Sequence, residues 1–268
     1  MLKGKVIVIT GATSGIGLAC ARDFARKGAL LSLAARSEAR LAAVGEELSP
    51  MTEVLTVPTD VTREDDCRNL VEQTVARFGR IDVLVNNAGI SMRAMFKDLE
   101  LDVMRALMDT NYWGTVYCTK YALPWLLESK GSVVGVISTA GFVGLPARTG
   151  YSASKFAIRG FLNTLRIEHI NDGLHVLVFA PGFTASNIRS AALTFDGTPQ
   201  GDSPREEGKM MSAEKVAGIL ARAIDRRTRQ KVLTFVAKLY LWLDVRFPKV
   251  SDRLAYKYMA REPDSPLK

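Results

Sequence analysis

The chain has 268 residues, 47% of them hydrophobic and 24% charged, a balance that excludes a disordered or collagen-like polymer and suits one globular domain. At this length roughly three quarters of the unfolded surface can be buried on folding, enough for a large core. The net charge of +8 is concentrated at one end: from Arg226 onward there are eleven Lys/Arg and four Asp/Glu. A nucleic-acid partner is not expected, because a basic face for that purpose runs through the fold.

In chain order, the first predicted strand is Lys5–Thr10, whose apolar stretch Val6-Ile7-Val8-Ile9 is too short for a signal-peptide core or a membrane span. It runs into Thr10-Gly11-Ala12-Thr13-Ser14-Gly15-Ile16-Gly17 and then a helix near 15–28. Glycines in such a turn let the backbone approach a pyrophosphate, and the helix N-terminus supplies N–H donors and positive potential. Gly11, Thr13, Ser14, Gly15, Ile16 and Gly17 are therefore candidate phosphate-binding residues.

The second strand, Leu30–Ala35, ends in Arg36-Ser37. A carboxylate there would bind a ribose 2′-hydroxyl and repel a 2′-phosphate. None is present, and Arg36 can hold a phosphate through its planar fork of donors, so NADP(H) is the expected cofactor; a solvated charge at a helix entrance is the alternative use of Arg36. A helix near 37–48 leads to a strand at Val54–Pro58. The next helix, near 63–78, is expected to be capped by Thr62, with Asp65 and Asp66 favourable in its first turn. Further strands are read at Ile81–Asn86, Ser132–Ser138, Leu174–Ala180 and Lys231–Phe235, and helices near 99–129, 150–172 and 213–226. Alternating apolar strands and helices point to an α/β, Rossmann-like, doubly wound parallel sheet of about seven strands with helices on both faces, in a single domain. That domain is placed at 1–235. The stretch 185–211 has no periodicity and is rich in Gly and Pro, as expected of a loop covering a site.

Tyr151 and Lys155 are four apart in a predicted helix and share a face. A phenol titrates near pH 10, so acid–base work at neutral pH requires help. Lowering that value by three units takes about 4 kcal/mol, which a nearby ammonium in a dry site can supply. Ser138, at the end of a strand, is placed to hydrogen-bond the oxygen of a reacting carbonyl. Cys20, Cys67 and Cys118 are widely spaced, as are His169 and His175. No metal site is expected, and the thiols read as reduced core residues.

The glycine spacing, Asn86-Asn87-Ala88-Gly89 after the fourth strand, Asn111, Ser138, Tyr151-Ser152-Ala153-Ser154-Lys155 and Pro181-Gly182 occur in the order found in the short-chain dehydrogenase/reductase family, in its single-domain branch. The chain resembles that family over about residues 4 to 225. The resemblance implies a catalytic set of Ser138, Tyr151, Lys155 and Asn111, with Lys155 also on the nicotinamide ribose and Asn111 holding a helix distortion and a water of the proton relay. It further implies cofactor contacts at Asn87, Ala88, Gly89, Pro181 and Gly182, and an adenine contact at Asp60-Val61. The family's threonine after Pro-Gly is matched by either Thr184 or Ser186.

The expected activity is an NADPH-dependent carbonyl reductase or alcohol dehydrogenase acting on a small-molecule carbonyl or alcohol. Phe142, Val143, Leu145, Phe183 and the 185–211 loop are expected to line an apolar substrate pocket. An oxidative sterol or alcohol dehydrogenase and a catalytically silent NADP(H) sensor are the alternatives. Family habit suggests a homodimer or homotetramer. The segment 236–268 reads as a basic, aromatic-rich helical extension. Packing on the domain or across a dimer is one use for it; peripheral membrane contact through 236–260 is another. A cytoplasmic setting, with surface association to a membrane as an option, is expected.

Overall fold

A computed structural model describes residues 2–203, 208 and 210–268. Its centre is a seven-stranded, wholly parallel sheet in the order β3-β2-β1-β4-β5-β6-β7. The strands are β1 Val6–Thr10, β2 Leu30–Ala35, β3 Val54–Pro58, β4 Val83–Asn86, β5 Ser132–Val136, β6 His175–Ala180 and β7 Gln230–Val232. Every residue of β1, β4, β5 and β6 is buried, because helices cover both faces of the sheet. On one face lie α1 (Gly15–Arg26), α2 (Glu38–Leu48) and α7 (Ala213–Asp225); Phe24, Leu41 and Leu220 pack there with Ile7, Leu31 and Phe179. On the other lie α3 (Glu64–Phe78), α5 (Gly114–Glu128) and α6 (Thr149–Glu168), whose Leu70, Ala122 and Leu162 meet Val8, Leu84 and Val178.

The strand order reverses between β1 and β4. At such a switch point the loops leaving the carboxyl ends of the strands diverge and open a crevice. Here those loops begin at Gly11, Arg36, Thr59, Asn87, Ile137 and Pro181, so residues scattered along the sequence meet at one edge of the sheet.

Three local expectations are revised. Helix α3 is entered through Arg63 rather than capped by Thr62. The Thr62 N–H and hydroxyl both donate to the Asp60 carboxylate, at 3.0 and 2.9 Å, which draws the side chain away from the helix end. The long helix expected near 99–129 is divided into α4 (Leu101–Leu107), a π-helical turn (Met108–Trp113) and α5. Strand β7 stops at Val232 because Thr234 caps a new helix, accepting from the Ala237 N–H at 3.1 Å. That helix, α8 (Phe235–Arg246), is followed by α9 (Pro248–Ala260).

Candidate active site

The turn after β1 is built for close approach. Gly11 and Gly15 take φ values of 66° and 51°, in the left-handed region that favours glycine. A Cβ at Gly17 would stand 2.2 Å from the Gly11 carbonyl oxygen, so α1 can begin against the turn only with glycine there. The Thr10 hydroxyl accepts from the N–H groups of Asn87 and Ala88, both at 3.0 Å, and the Asn87 amide donates to the carbonyls of Thr10 and Gly11. Asn87 thus locks the loop after β4 to the glycine turn. Ser14 precedes α1 without capping it through its side chain, and the first turn of α1 carries no acidic residue. A phosphate is the anion such a bare, positive helix end accepts.

A cavity of 1780 Å³ runs along this edge. Small-molecule pockets commonly measure about 300–1,000 Å³, so a dinucleotide and a second ligand fit together. Its walls bring together Gly11, Thr13, Ser14, Gly15, Ile16, Arg36, Asp60, Val61, Asn87, Ala88, Gly89, Ser138, Tyr151, Lys155, Pro181, Gly182, Thr184 and Ser186. Gly17 and Asn111 stand behind the wall. Arg40, in the first turn of α2 and absent from the expected set, lines the same cavity as Arg36; its one signal was a second guanidinium close behind Arg36 in the sequence. Thr184 is buried, its hydroxyl donating to the Gly182 carbonyl at 3.2 Å. Ser186 stands over the glycine turn, its Cβ 3.0 Å from where a Gly15 Cβ would be. The two candidates for the residue after Pro-Gly therefore occupy different parts of the cavity wall.

At the other end, Ser138 follows β5 and its hydroxyl accepts from the Ala140 N–H at 3.2 Å. It lines the same end of the cavity as the Tyr151 phenol, whose proton affinity its hydroxyl pulls down. Lys155, only 3% exposed, donates to the Val136 carbonyl at 3.1 Å, and its Nζ is 5.7 Å from the Tyr151 ring centroid. Burial depresses the Lys155 ammonium to about 8. Burial also raises the Tyr151 phenol above its ordinary value, against the pull of Ser138 and of the charge on Arg148. This differs from the expectation that Lys155 lowers the phenol: desolvation of the ring outweighs an ammonium turned toward a backbone carbonyl.

Asn111 sits in the π-helical turn and is fully buried. Its carboxamide accepts from the Ile90 N–H at 2.8 Å and donates to the Ile90 carbonyl and the Ser154 hydroxyl at 3.0 and 2.9 Å. The side chain therefore braces the loop after β4 against α6, and the Thr115 hydroxyl donates to the Asn111 carbonyl at 2.8 Å.

Of the expected pocket residues, Leu145 and Phe183 line the cavity, whereas Phe142 and Val143 do not. Val143 is buried, and Phe142 packs against the core beneath the Arg159 guanidinium, 4.1 Å from its ring centroid. The 185–211 stretch is more ordered than its composition suggests, with bridges Met92–Leu193, Thr184–Met211 and Leu193–Pro199; Pro204 to Glu207 and Lys209 lie outside the described residues. Leu239, Tyr240 and Leu243 of α8 and Leu254, Tyr258 and Met259 of α9 complete the wall, a contribution the basic composition of the tail had masked. Cys20, Cys67 and Cys118 are buried free thiols. His169 pairs with Asp172, and His175 bridges Ser132 and the Thr228 carbonyl.

The profile of the short chain dehydrogenase family matches residues 5–195. A protein of Sesamum indicum named 11-beta-hydroxysteroid dehydrogenase A is 36% identical over 272 residues, covering 97% of this chain and 78% of its own. The Arabidopsis thaliana protein named 11-beta-hydroxysteroid dehydrogenase 1A is 44% identical over 191 residues, which are 70% of this chain and 54% of that one. The chain thus spans about half the length of some of the curated relatives it matches. Among solved structures, an alcohol dehydrogenase from Thermococcus sibiricus complexed with 5-hydroxy-NADP superposes with a TM-score of 0.77 at 26% identity, over 86% of this chain and 96% of that one. A short chain dehydrogenase/reductase from Burkholderia phymatum in complex with NAD gives 0.83 at 23% identity, over 93% and 95%, and shares the fold.

Proposed function

This chain belongs to the short-chain dehydrogenase family, and from that premise we propose that it is an NADP(H)-dependent oxidoreductase interconverting a hydrophobic ketone and its secondary alcohol. The observation that carries the reading is one continuous cavity with Arg36 and Arg40 at one end and Ser138, Tyr151 and Lys155 at the other. The glycine turn and the acid-free first turn of α1 lie on its wall and fit the pyrophosphate; the two guanidiniums fit a 2′-phosphate. The Thermococcus relative, complexed with an NADP analogue, favours the same choice. When bound, the nicotinamide supplies or takes up the hydride.

The chain's own groups handle the oxygen and the proton. Tyr151 donates its phenolic proton to the substrate oxygen in reduction and takes it back in oxidation. Ser138 hydrogen-bonds the same oxygen and stabilises the charge that develops there. Lys155, which donates to the Val136 carbonyl at the cavity wall, is assigned the ribose hydroxyls and the electrostatic stabilisation of the phenolate. Asn111 keeps the Ile90 loop and α6 in register. Leu239, Leu243 and Leu254 give the substrate end an apolar wall.

Oxidation of NADPH, followed at 340 nm across a panel of cyclic, aromatic and long-chain ketones, tests this reading. Tyr151→Phe is expected to lower turnover at least about 1,000-fold, within the range for a lost general acid, while NADPH still binds. Equal turnover by the variant would refute the assigned chemistry.

A second reading concerns the tail. Ala237, Ala255 and Met259 pack inward, leaving other faces of α8 and α9 uncovered. Away from the cavity, Phe235, Trp242 and Arg246 share one exposed stripe, and Val250 and Arg253 another. Apolar side chains ending in basic ones suit the surface of an anionic bilayer, and peripheral contact there is proposed as the role of these stripes. Among the described residues no helix is long and apolar enough to cross a membrane.

A further inference from the structure

The turn that carries Ser138 is packed directly onto α6. Ser138 opens a short 3₁₀ turn, Thr139–Gly141. Its hydroxyl accepts from the Ala140 N–H at 3.2 Å and its carbonyl from the Gly141 N–H at 2.9 Å. A Cβ at Gly141 would stand 2.9 Å from the Lys155 carbonyl oxygen, so the turn rests on the backbone of α6 with no side chain between. The far end of the loop is tied down as well, the Leu145 N–H donating to the Ser152 hydroxyl at 3.4 Å.

Arg159 closes over this turn. It stands four residues after Lys155, one turn farther along the same face of α6. Its guanidinium lies 4.1 Å from the Phe142 ring centroid, and its Nη1 donates to the Gly141 carbonyl at 3.5 Å. It is half-buried and, among the described residues, has no carboxylate partner. A cation drawn partly out of water without a counter-ion is costly to place, and the face of the Phe142 ring offsets that cost here.

We propose that Arg159 is a positioning residue: by clasping Gly141 and Phe142 to α6 it fixes the turn that begins at Ser138, and so holds the Ser138 hydroxyl against the oxygen that Tyr151 protonates. The inference rests on the carbonyl-binding role given to Ser138 above. Arg159 itself does not line the cavity, so its effect on the reaction passes through the turn.

Hydrogen exchange of the full chain, followed by mass spectrometry on a peptide spanning 138–145, reads the clasp without turnover. Arg159→Met should speed exchange there about tenfold, the worth of a partly desolvated cation–π contact, while NADPH still binds. Arg159→Lys keeps a cation over the ring and should fall between the wild type and Arg159→Met. Steady-state kinetics with NADPH and an accepted ketone then locate the effect. Arg159→Met should lower kcat about tenfold, a fraction of the loss when an oxyanion donor is removed outright, with KM little changed. In a Ser138→Ala background it should cost nothing further, because residues that act as one unit are non-additive. Unchanged exchange in Arg159→Met, or equal losses of kcat with and without Ser138, would overturn the proposal; a merely structural role gives the second result. Should Arg159→Met not fold, Arg159→Gln, which removes the charge and keeps a polar end, takes its place with the same expectations. A wild type inert toward every ketone would remove the role of Ser138 on which the inference rests, and the exchange result tells that outcome apart from failure of the clasp.

Discussion

Tyr151 and Lys155 lie four residues apart on α6, yet their surroundings push their proton affinities in opposite directions. Burial holds the phenol protonated and depresses the ammonium to about 8. As pH rises through that value Lys155 loses its charge, and with it, on the proposed reading, the electrostatic support for a phenolate and one donor to the ribose. The rate of reduction at low substrate should therefore decline above about pH 8, and a pH profile of kcat/KM checks this. A profile flat to pH 10 would deny Lys155 a charged role. The residue types at this site were legible in the sequence because their spacing and order are diagnostic. Their electrostatics were not: the influence of Arg148 and the turning of Lys155 toward Val136 arise from packing and leave no trace in spacing.

Among the elements, the glycine turn and the π-helical turn do the positioning. Gly17 cannot carry a side chain without displacing the Gly11 carbonyl, a backbone atom that cannot swing aside. Gly17→Ala should abolish NADPH binding, measured by fluorescence, and lower the melting temperature; unchanged binding would show that the turn is not the phosphate cradle. The strands were readable because buried parallel strands are continuous apolar runs between glycine and polar turns. The break at Met108–Trp113 was signalled only by the helix distortion that the family resemblance implies at Asn111: Met-Asp-Thr-Asn-Tyr-Trp itself contains no Pro or Gly to mark it, and the distortion is secured by Asn111, Thr115 and Ile90 in three dimensions. Phe142 and Val143 were misplaced for a related reason, since an apolar residue near a site is equally at home in the core beneath it.

On the scale of the whole molecule, a buried carboxylate and an exposed apolar surface each have a measurable consequence. Asp82 is 3% exposed and accepts from Lys5 at 2.8 Å, Arg80 at 2.7 Å and the Val6 N–H at 3.0 Å, joining the starts of β1 and β4. Burial raises its carboxyl, but these hydrogen bonds outweigh it and leave the value below the ordinary one. A depressed carboxylate stabilises the fold above its unfolded value, near pH 4, and that contribution is lost as pH falls through the folded value. Asp82→Ala should cost about 2 kcal/mol at pH 7 in urea unfolding, and the difference from wild type should shrink below about pH 4; a gap independent of pH would contradict the assignment. The stripes on α8 and α9 predict that the protein sediments with vesicles of phosphatidylserine and phosphatidylcholine at low salt, and that salt or Trp242→Ser releases it. Failure to sediment, or self-association that consumes the same surface, would remove the membrane reading.

The cofactor assignment bears most directly on the central claim and is settled by one experiment, fluorescence titration of the purified protein with NADPH and NADH side by side. Tighter binding of NADPH is expected, with Arg36→Asp losing about 2 kcal/mol for NADPH, roughly 30-fold in Kd, while NADH is weakened far less. Equal or tighter binding of NADH would contradict the role given to Arg36 and Arg40 and turn the search toward NAD-linked oxidation.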